Sequence, residues 1–117
     1  MAYVSGFMGS VPSERKQDYL DMATAAAEVF KEHGATRVVE TWGDEVPDGK
    51  VTSMPMAVQA KEGEIVIFSW VWWPDKATYK SGMEKVMQDK RMDYDPATLP
   101  FDMKRMIYGG FDVILDL

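Results

Sequence analysis

Glu40 is the residue best suited to chemistry in this sequence, because it places a carboxylate inside residues 36–42, a stretch typical of a β-strand. Alternate side chains of a strand point to opposite faces, so Glu40 shares a face with Trp42 and lies opposite Arg37. A carboxylate that faces an enclosed interior is partly withdrawn from water, which suits a general base or acid. We predict a catalytic role for Glu40; the structural alternatives are an ion pair with Arg37 of a neighbouring chain, an ion pair with Arg105, or simple solvation.

Tyr108 is the second catalytic candidate, because its phenol hydroxyl stands beside two consecutive glycines, Gly109 and Gly110. Glycines inside a strand often mark a bulge, or a point where another backbone or a ligand comes close. The hydroxyl of Tyr108 is therefore predicted to orient a ligand. The alternative is that Tyr108 packs in the core while the glycines only bend the strand.

Arg105 is a candidate for binding an anionic ligand, because its planar guanidinium can donate two parallel hydrogen bonds to a carboxylate or phosphate. Lys104 would add positive charge beside it. The alternative is that both side chains lie in solvent at the start of a strand, as exposed cations commonly do.

The tryptophans form a set of large aromatic side chains that could line an apolar ligand pocket: Trp42, Trp70, Trp72 and Trp73. Ser69 would be the small polar group inside such a pocket, and we predict ligand binding for Trp42, Ser69 and Trp70. Packing in the core or in an interface explains the tryptophans equally well. Ser69 has no neighbouring histidine that could act as its base, so it is not interpreted as a nucleophile.

Metal and cofactor chemistry has little support in this sequence. The chain has no cysteine and one histidine, His33, which excludes disulfides and thiolate metal sites. His33 stands near the predicted end of the first helix, where the helix dipole favours a capping role over catalysis. The loop carboxylates, which are Asp44, Glu45 and Asp48, lack the alternating spacing of a calcium loop, and no phosphate-binding or dinucleotide-binding motif occurs. We predict no metal and no cofactor.

Charge and composition limit the classes of partner. The formal net charge of −6 repels nucleic acid backbones and anionic lipid, so no nucleic-acid or membrane partner is expected. The longest apolar run, residues 65–73, is about half the length that a membrane-spanning helix needs. Residues 1–11 lack the pattern of a signal peptide, which predicts a cytoplasmic protein. At 117 residues, 46% of them hydrophobic, the chain is predicted to form one domain over residues 1–117.

Hydrophobic periodicity and turn residues predict the elements that must position these side chains. The first helix should follow Pro12 and end at Gly34 as a left-handed cap, and the second should be capped by Asp75 and end near Lys90 or Arg91. Strands are predicted over residues 3–8, 36–42, 54–60, 65–73 and 105–115, with residues 54–60 and 65–73 forming a hairpin.

With one further strand between the helices, these elements follow the order strand, helix, strand, strand, helix, strand, which predicts a ferredoxin-like α+β fold, in which an antiparallel sheet carries two helices on one face. Nearly every residue of the strand at 65–73 is apolar, so both of its faces need cover. Because two helices cover only one face, a second copy of the chain is predicted to cover the other. The predicted assembly is a homodimer that packs sheet to sheet.

Four segments carry a resemblance to a known family: Tyr3–Val4, residues 46–50 (VPDGK), residues 68–70 (FSW) and residues 103–111 (MKRMIYGGF). In their order and spacing they resemble the YbaA-like family of bacterial proteins of unknown function. That family is similar to the dimeric α+β barrel superfamily, so the resemblance implies two sheets that close around a central space. It also implies cofactor-independent chemistry, such as oxygenation, isomerisation or lyase activity, on small hydrophobic or aromatic acids.

Two functions remain open from the sequence. The first is an enzyme or binder of a small hydrophobic or aromatic molecule, with Glu40, Tyr108 and Arg105 around an apolar space between paired sheets. The second is a non-catalytic interaction protein whose barrel is filled by side chains, which the 10 methionines make plausible because Met fills irregular gaps. RNA binding through Lys104 and Arg105 is the weakest interpretation, since the chain is acidic.

Overall fold

The computed structural model describes residues 2–117. Along the chain the regular elements are β1 (Tyr3–Pro12), α1 (Lys16–Glu32), β2 (Arg37–Trp42), α2 (Met54–Ala57), β3 (Glu64–Trp73), α3 (Lys76–Gln88) and β4 (Ile107–Asp112). Short 3₁₀ turns lie at Ser13–Arg15, Lys90–Met92, Pro96–Thr98 and Met103–Arg105. Within residues 2–117 the four strands form one antiparallel sheet in the order β2-β3-β1-β4, which confirms the predicted ferredoxin-like fold.

The strand register divides the sheet into two faces with different cover. The helix face lies against α1 and α3 and is built from alternate strand residues, among them Tyr3, Ser5, Phe7, Val11, Val38, Glu40, Trp42, Ile67, Ser69, Val71, Trp73 and Tyr108. The open face carries the residues between them, among them Val4, Gly6, Met8, Arg37, Val39, Phe68, Trp70, Trp72, Ile107 and Phe111. The face predicted for Glu40 and Trp42, opposite Arg37, is therefore confirmed.

The core lies between the sheet and the helices, in two clusters. One contains Tyr3, Ala35, Val71 and Trp73, and the other contains Val11, Tyr19, Ala23 and Ile67. Trp73 is completely buried, and its indole Nε1 donates a hydrogen bond to Ser5 Oγ at 3.2 Å. This bond satisfies a polar group that would be costly to bury alone.

The two long helices have the ends that their sequences indicate. His33 is the C-terminal cap of α1, and Gly34 adopts a φ of +112°, as predicted for a left-handed cap. The side chain of Asp75 caps α3 by accepting a hydrogen bond from the Thr78 backbone N–H at 2.7 Å. α3 ends at Gln88, slightly before the predicted end near Lys90.

The predicted strand at residues 54–60 is wrong, and so is the hairpin that depended on it. This segment contains the short helix α2. The Ser53 hydroxyl caps it by accepting a hydrogen bond from the Met56 backbone N–H at 3.1 Å, and its early proline, Pro55, has no N–H to leave unsatisfied. Gln59 then adopts a left-handed φ of +51°. Hydrogen bonds from Gln59 N to Met56 O and from Ala60 N to Pro55 O complete the helix C-terminus. Ser, Pro and a left-handed residue thus favour a helical turn over an extended strand.

β4 differs from its prediction in length and in regularity. It spans Ile107–Asp112, because Met103–Arg105 forms a 3₁₀ turn capped by Asp102. Its pairing with β1 is continuous, so Gly109 and Gly110 make no bulge. A Cβ on Gly110 would lie 2.5 Å from the Tyr3 hydroxyl, so the close approach at this glycine comes from the ring of Tyr3.

No helix within residues 2–117 has both the length and the apolar character that a membrane crossing requires.

Candidate active site on the helix face

Glu40 lies at the centre of a cluster of three polar side chains on the helix face. The Tyr19 hydroxyl and the Ser69 hydroxyl each donate a hydrogen bond of 2.5 Å to Glu40 Oε1. The two hydroxyl oxygens are themselves 3.4 Å apart. One carboxylate oxygen is therefore held by two neutral donors from different elements, and we call these three residues the Glu40 cluster.

The fold brings the Glu40 cluster together through strand register and helix packing. Glu40 on β2 is directly opposite Ser69 on β3, which places both side chains on the same face. Tyr19 comes from the first turn of α1, where its ring packs beside Ala23 and Ile67. Tyr19 is 6% exposed and Ser69 is 0% exposed, so both donors are withdrawn from water.

The environment of the Tyr19 hydroxyl fixes its protonation state. Burial raises the pKa of Tyr19 above its ordinary value, and the nearby negative charge of Glu40 and the hydrogen bond to it raise the pKa further. The phenol therefore keeps its proton at physiological pH and acts as a permanent donor to Glu40.

The second oxygen of Glu40 has a different environment from the first. Oε2 accepts no hydrogen bond from residues 2–117. It retains some contact with solvent, because it is not among the fully buried side-chain atoms of these residues that lack a partner, where Trp72 Nε1 is found. An oxygen with free lone pairs, on a carboxylate whose position is fixed, can accept a hydrogen bond or a proton from a ligand.

Trp42 borders the Glu40 cluster on the same face of β2. It packs partly buried against the core cluster of Tyr19, and the ammonium of Lys16 lies over its ring, 5.4 Å from the centroid. An aromatic wall beside a carboxylate is consistent with the ligand-binding role predicted for Trp42, which remains a prediction.

Ser69 and Trp70 do not line a common pocket, contrary to the sequence interpretation. They are consecutive residues of β3 and therefore point to opposite faces of the sheet. Ser69 joins the Glu40 cluster, whereas Trp70 lies on the open face, edge-on to Phe68 with ring centroids 5.6 Å apart.

Tyr108 shares a cross-strand row with the Glu40 cluster but does not contact it. The row runs from Glu40 through Ser69 and Phe7 to Tyr108, one residue on each strand. With neighbouring strands about 4.8 Å apart, Tyr108 is roughly 14 Å from Glu40. It lies on the edge strand and is 81% exposed, so it is not the core residue that the alternative interpretation required.

Arg105 is occupied by contacts within the chain. Its guanidinium forms a two-pronged ion pair with Glu64, at 2.7 and 2.9 Å, and its Nε donates to Asp102 at 3.2 Å. Nη1 also donates to Ser10 Oγ and to the Gln59 carbonyl. The alternative in which Arg105 pairs with Glu40 is therefore wrong, and these contacts favour a structural role over the ligand-binding role predicted for Arg105.

His33 takes part in a network at the end of α1. Its Nε2 lies 3.1 Å from Asp89 Oδ2, and Arg91 contacts both Asp89 and Glu32. The hydrogen bonds from Arg91 hold the pKa of the Asp89 carboxyl well below its ordinary value. This network ties the turn after α3 to α1, which agrees with a structural role for His33. Across residues 2–117, no group of three or more His, Asp or Glu side chains could hold a metal ion.

Tyr19 is the member of the cluster that sequence reasoning missed as a functional residue. Tyr19 lies in the apolar stripe of α1 with Ala23 and Val29, and such a stripe indicates only burial. A tyrosine in the stripe carries a hydroxyl that needs a partner, and this is the signal that could have linked it to Glu40.

Comparison with known sequences gives two consistent findings. The chain matches the profile of a family described as "protein of unknown function (DUF1428)" over residues 2–103. It is 51% identical over 116 residues to the uncharacterized protein YbaA of Escherichia coli (strain K12), with 99% of each chain covered. YbaA of Shigella flexneri matches to the same extent, at 51% identity.

Two solved structures resemble the fold. SnoaB, a cofactor-independent oxygenase from Streptomyces nogalater, aligns with a TM-score of 0.54 and 11% identity, covering 99% of this chain and 96% of its own. The de novo designed protein Foldit4 aligns with a TM-score of 0.50 and 13% identity, covering 97% and 99%. At such identities the likeness concerns the fold alone.

Proposed function

Because this chain belongs to the DUF1428 family and is a relative of YbaA, as its sequence segments predicted, we propose a function from its geometry rather than from a named activity. We infer that it binds a small hydrophobic or aromatic molecule at the Glu40 cluster. The bound molecule carries a hydrogen-bond donor or an acidic proton, and any reaction on it uses the side chains of this chain without a cofactor.

The observation that carries this proposal is the asymmetry of the Glu40 carboxylate. Tyr19 and Ser69 saturate Oε1 and fix the carboxylate in place, whereas Oε2 is left without a partner from residues 2–117. The donors are neutral, so the negative charge is not cancelled by a neighbouring cation. A carboxylate that is fixed and uncompensated is suited to accept a proton from a bound ligand.

Other residues contribute to this proposal in different degrees. Trp42 supplies an apolar wall, and Ser69 orients Glu40 rather than the ligand. Tyr108 would act on the same molecule only if that molecule spanned roughly 14 Å. We therefore assign proton acceptance to Glu40 and leave the predicted catalytic role of Tyr108 as a separate hypothesis. The fold likeness to SnoaB, a cofactor-independent oxygenase, supports the cofactor-independent class without assigning a reaction.

A ligand-observed NMR screen of small aromatic alcohols, phenols and amides tests this proposal. Compounds that bind the wild-type chain should lose roughly tenfold or more in affinity for Glu40→Gln, because the amide is uncharged and offers the ligand a much poorer proton acceptor. Glu62→Gln is the matched control, since Glu62 is an exposed carboxylate on the connection before β3. Equal affinities for wild type and Glu40→Gln would refute the assignment.

A second function is favoured by the open face, where we propose that two copies of the chain pack sheet to sheet. Phe68, Phe111 and Ile114 are exposed there, at 38%, 60% and 91%. Trp72, on the same face, has a buried indole N–H without an acceptor in residues 2–117. Such a face usually marks an interaction surface, and a second copy would cover it. If the Glu40 cluster binds nothing, a non-catalytic homodimer is the remaining function.

Self-complementarity supports a second copy as the occupant of the open face. Most of the side chains named for this face are apolar, with Arg37 at its β2 edge in the same row as Trp72. A two-fold arrangement would bury the same apolar surface on both protomers. The predicted cytoplasmic location, and the absence of nucleic acid among the partners, stay predictions.

A further inference from the structure

A pocket of about 460 Å³ lies at the end of the sheet where β1 finishes and where β3 and β4 begin, and it adjoins the Glu40 cluster only through the ring of Tyr19. It is lined by Pro12, Arg15 and Glu64 and by most of residues 96–105. Most of this lining belongs to the segment between α3 and β4, so we call it the segment pocket. The lining combines an apolar surface with several charges.

The apolar part of the segment pocket is a ledge formed by residues 99–101. Leu99 and Pro100 are buried, and Phe101 is partly buried with its ring edge-on to Tyr19, the centroids 6.2 Å apart. Met103 extends this surface and is 55% exposed. Leu99 and Pro100 thus form the floor of the pocket, and the more exposed Phe101 and Met103 offer contact area to the hydrocarbon part of a small molecule.

The acidic side chains of the pocket are already neutralised. Glu64 is paired with both terminal nitrogens of Arg105, and the hydrogen bond from Arg105 is the main reason why the pKa of Glu64 falls to about 2. Asp102 accepts from the Arg105 side chain and from the Lys104 backbone N–H. The two carboxylates and Arg105 therefore form a closed group that presents little charge to a ligand.

Two cations remain on the pocket wall. The ammonium of Lys104 has no carboxylate within ion-pair distance in the described part of the chain. The Arg15 guanidinium is used within the chain, because it donates to the Thr98 and Leu99 carbonyls at 3.2 and 3.0 Å and its Nε pairs with Asp18 at 3.1 Å. Lys104 therefore supplies the positive charge that is available to a ligand in this pocket, although the whole chain carries −6.

The pocket wall is fixed before any ligand binds. Arg15 tethers the Thr98–Leu99 backbone to the end of β1, while Arg105 tethers the following turn to Glu64, Ser10 and the Gln59 carbonyl. A preformed wall lowers the entropy that is lost when a ligand binds.

We propose that the segment pocket binds a small amphipathic organic anion, with its carboxylate beside the Lys104 ammonium and its apolar body against Leu99 and Phe101. Lys104 thus takes the anion-binding role that the sequence suggested for Arg105, whose donors are used within the chain. A polyanion such as RNA is disfavoured, because one free ammonium cannot offset the repulsion from the rest of the acidic chain.

The test is an ¹⁵N–¹H NMR titration of the whole chain with 3-phenylpropionate as the probe. We expect progressive shifts of the backbone amides of residues 97–99 and 101–105 and of Arg15. The neutral analogue 3-phenylpropanamide should bind several-fold more weakly, since it lacks the charge. Lys104→Glu should weaken binding of the propionate by roughly tenfold, because it reverses the charge beside the carboxylate.

Lys85→Glu is the matched control, because Lys85 is an exposed lysine on α3 and the change in net charge is identical. It should leave the affinity within about twofold of wild type at moderate salt. Equal weakening by Lys85→Glu would show a general charge effect and overturn the proposal. Shifts confined to the open face, or no shifts up to about 10 mM probe, would overturn it as well. Glu40→Gln is expected to leave the affinity for 3-phenylpropionate unchanged. The outcome of the titration is therefore independent of the function proposed for the Glu40 cluster.

Discussion

At the scale of single residues, the two partly buried glutamates of this chain have opposite surroundings. Glu64 is held by the guanidinium of Arg105, so its charge is compensated within the fold. Glu40 is held by the hydroxyls of Tyr19 and Ser69, which are neutral donors, and it has no cationic partner within residues 2–117. A compensated carboxylate stabilises structure, whereas an uncompensated one is available to a ligand. This difference is why the proposed function rests on Glu40.

Replacing Tyr19 by phenylalanine tests the hydrogen bond that fixes Glu40. The variant removes one of the two donors to Oε1 and leaves the ring packed against its neighbours. We expect the free energy of unfolding to fall by about 1–2 kcal/mol in urea denaturation. Tyr108→Phe is the control, because its hydroxyl is on an exposed side chain and its loss should change stability by less than about 0.5 kcal/mol. Equal effects of the two changes would argue against a structural role for the Tyr19 hydroxyl.

The Glu64–Arg105 ion pair predicts a specific dependence of stability on pH. The pKa of Glu64 is lowered from 4.5 to about 2, so the folded state favours the ionised form. This contribution is fully present above about pH 4.5 and is lost as the pH falls towards about 2. Glu64→Gln should therefore cost about 2 kcal/mol of stability at neutral pH and progressively less in acid.

Urea unfolding of wild type and Glu64→Gln across this pH range measures the effect, with Glu62→Gln as an exposed control. A stability difference that stayed constant down to pH 2 would contradict the pairing.

The sequence predicted the face of Glu40 but not its partners. Alternation along a strand is local information, and it placed Glu40 and Trp42 correctly. The donors come from residues 21 and 29 positions away, and they meet Glu40 only after α1 packs on the sheet. The partner of Arg105 was missed for the same reason, because Glu64 is 41 residues distant.

At the scale of elements, the hydrophobic periods of the long helices and of β1, β2 and β3 decided most of the fold. α2 was missed because four residues are too few to show a helical period, and its signals are the Ser53 cap and the left-handed Gln59. Gly82 is a residue whose role the sequence could not predict, because helix propensity alone makes a glycine inside a helix unfavourable. In the fold it allows α3 to approach both the Trp73 ring and the end of α1.

Gly82→Ala should therefore destabilise the chain, although alanine favours helix by about 1 kcal/mol over glycine. The new Cβ would lie 2.5 Å from the His33 carbonyl oxygen and would also collide with the Trp73 ring. Overpacking of this kind costs about 1–3 kcal/mol or more, so the net change should lower the midpoint of thermal unfolding. Ser81→Ala, at an exposed position of the same helix, should raise it slightly. A rise in both variants would show that the helix–sheet contact is looser than described.

At the scale of the whole molecule, the sheet has one covered face and one that is still exposed. The sequence indicated this imbalance, because β3 is apolar on both of its faces while the predicted helices can cover only one. The side chains on the open face, among them Phe68 and Trp70, form a surface on which a second copy can pack. The Glu40 cluster lies on the other side of the sheet, so the proposed dimer and the proposed ligand site use different faces.

Phe68→Glu tests the proposed dimer. Phe68 lies on the open face of β3, and a charge there should prevent sheet-to-sheet packing because it could not be buried without a partner. We expect sedimentation equilibrium to give twice the mass of the 13.3 kDa chain for wild type and a single chain mass for the variant. Leu20→Glu, at an exposed position of α1, should remain a dimer. A wild-type monomer would refute the dimer, and a dimer broken by Leu20→Glu alone would place the interface elsewhere.

Native mass spectrometry of freshly purified wild type and Glu40→Gln, measured side by side, is the most direct test of a ligand site at Glu40. We expect the wild-type chain to retain a small molecule as added mass, and we expect Glu40→Gln to lose it while keeping the same subunit number. The added mass would identify the class of ligand. Wild-type protein without added mass, or equal added mass in both proteins, would contradict a ligand site at the Glu40 cluster.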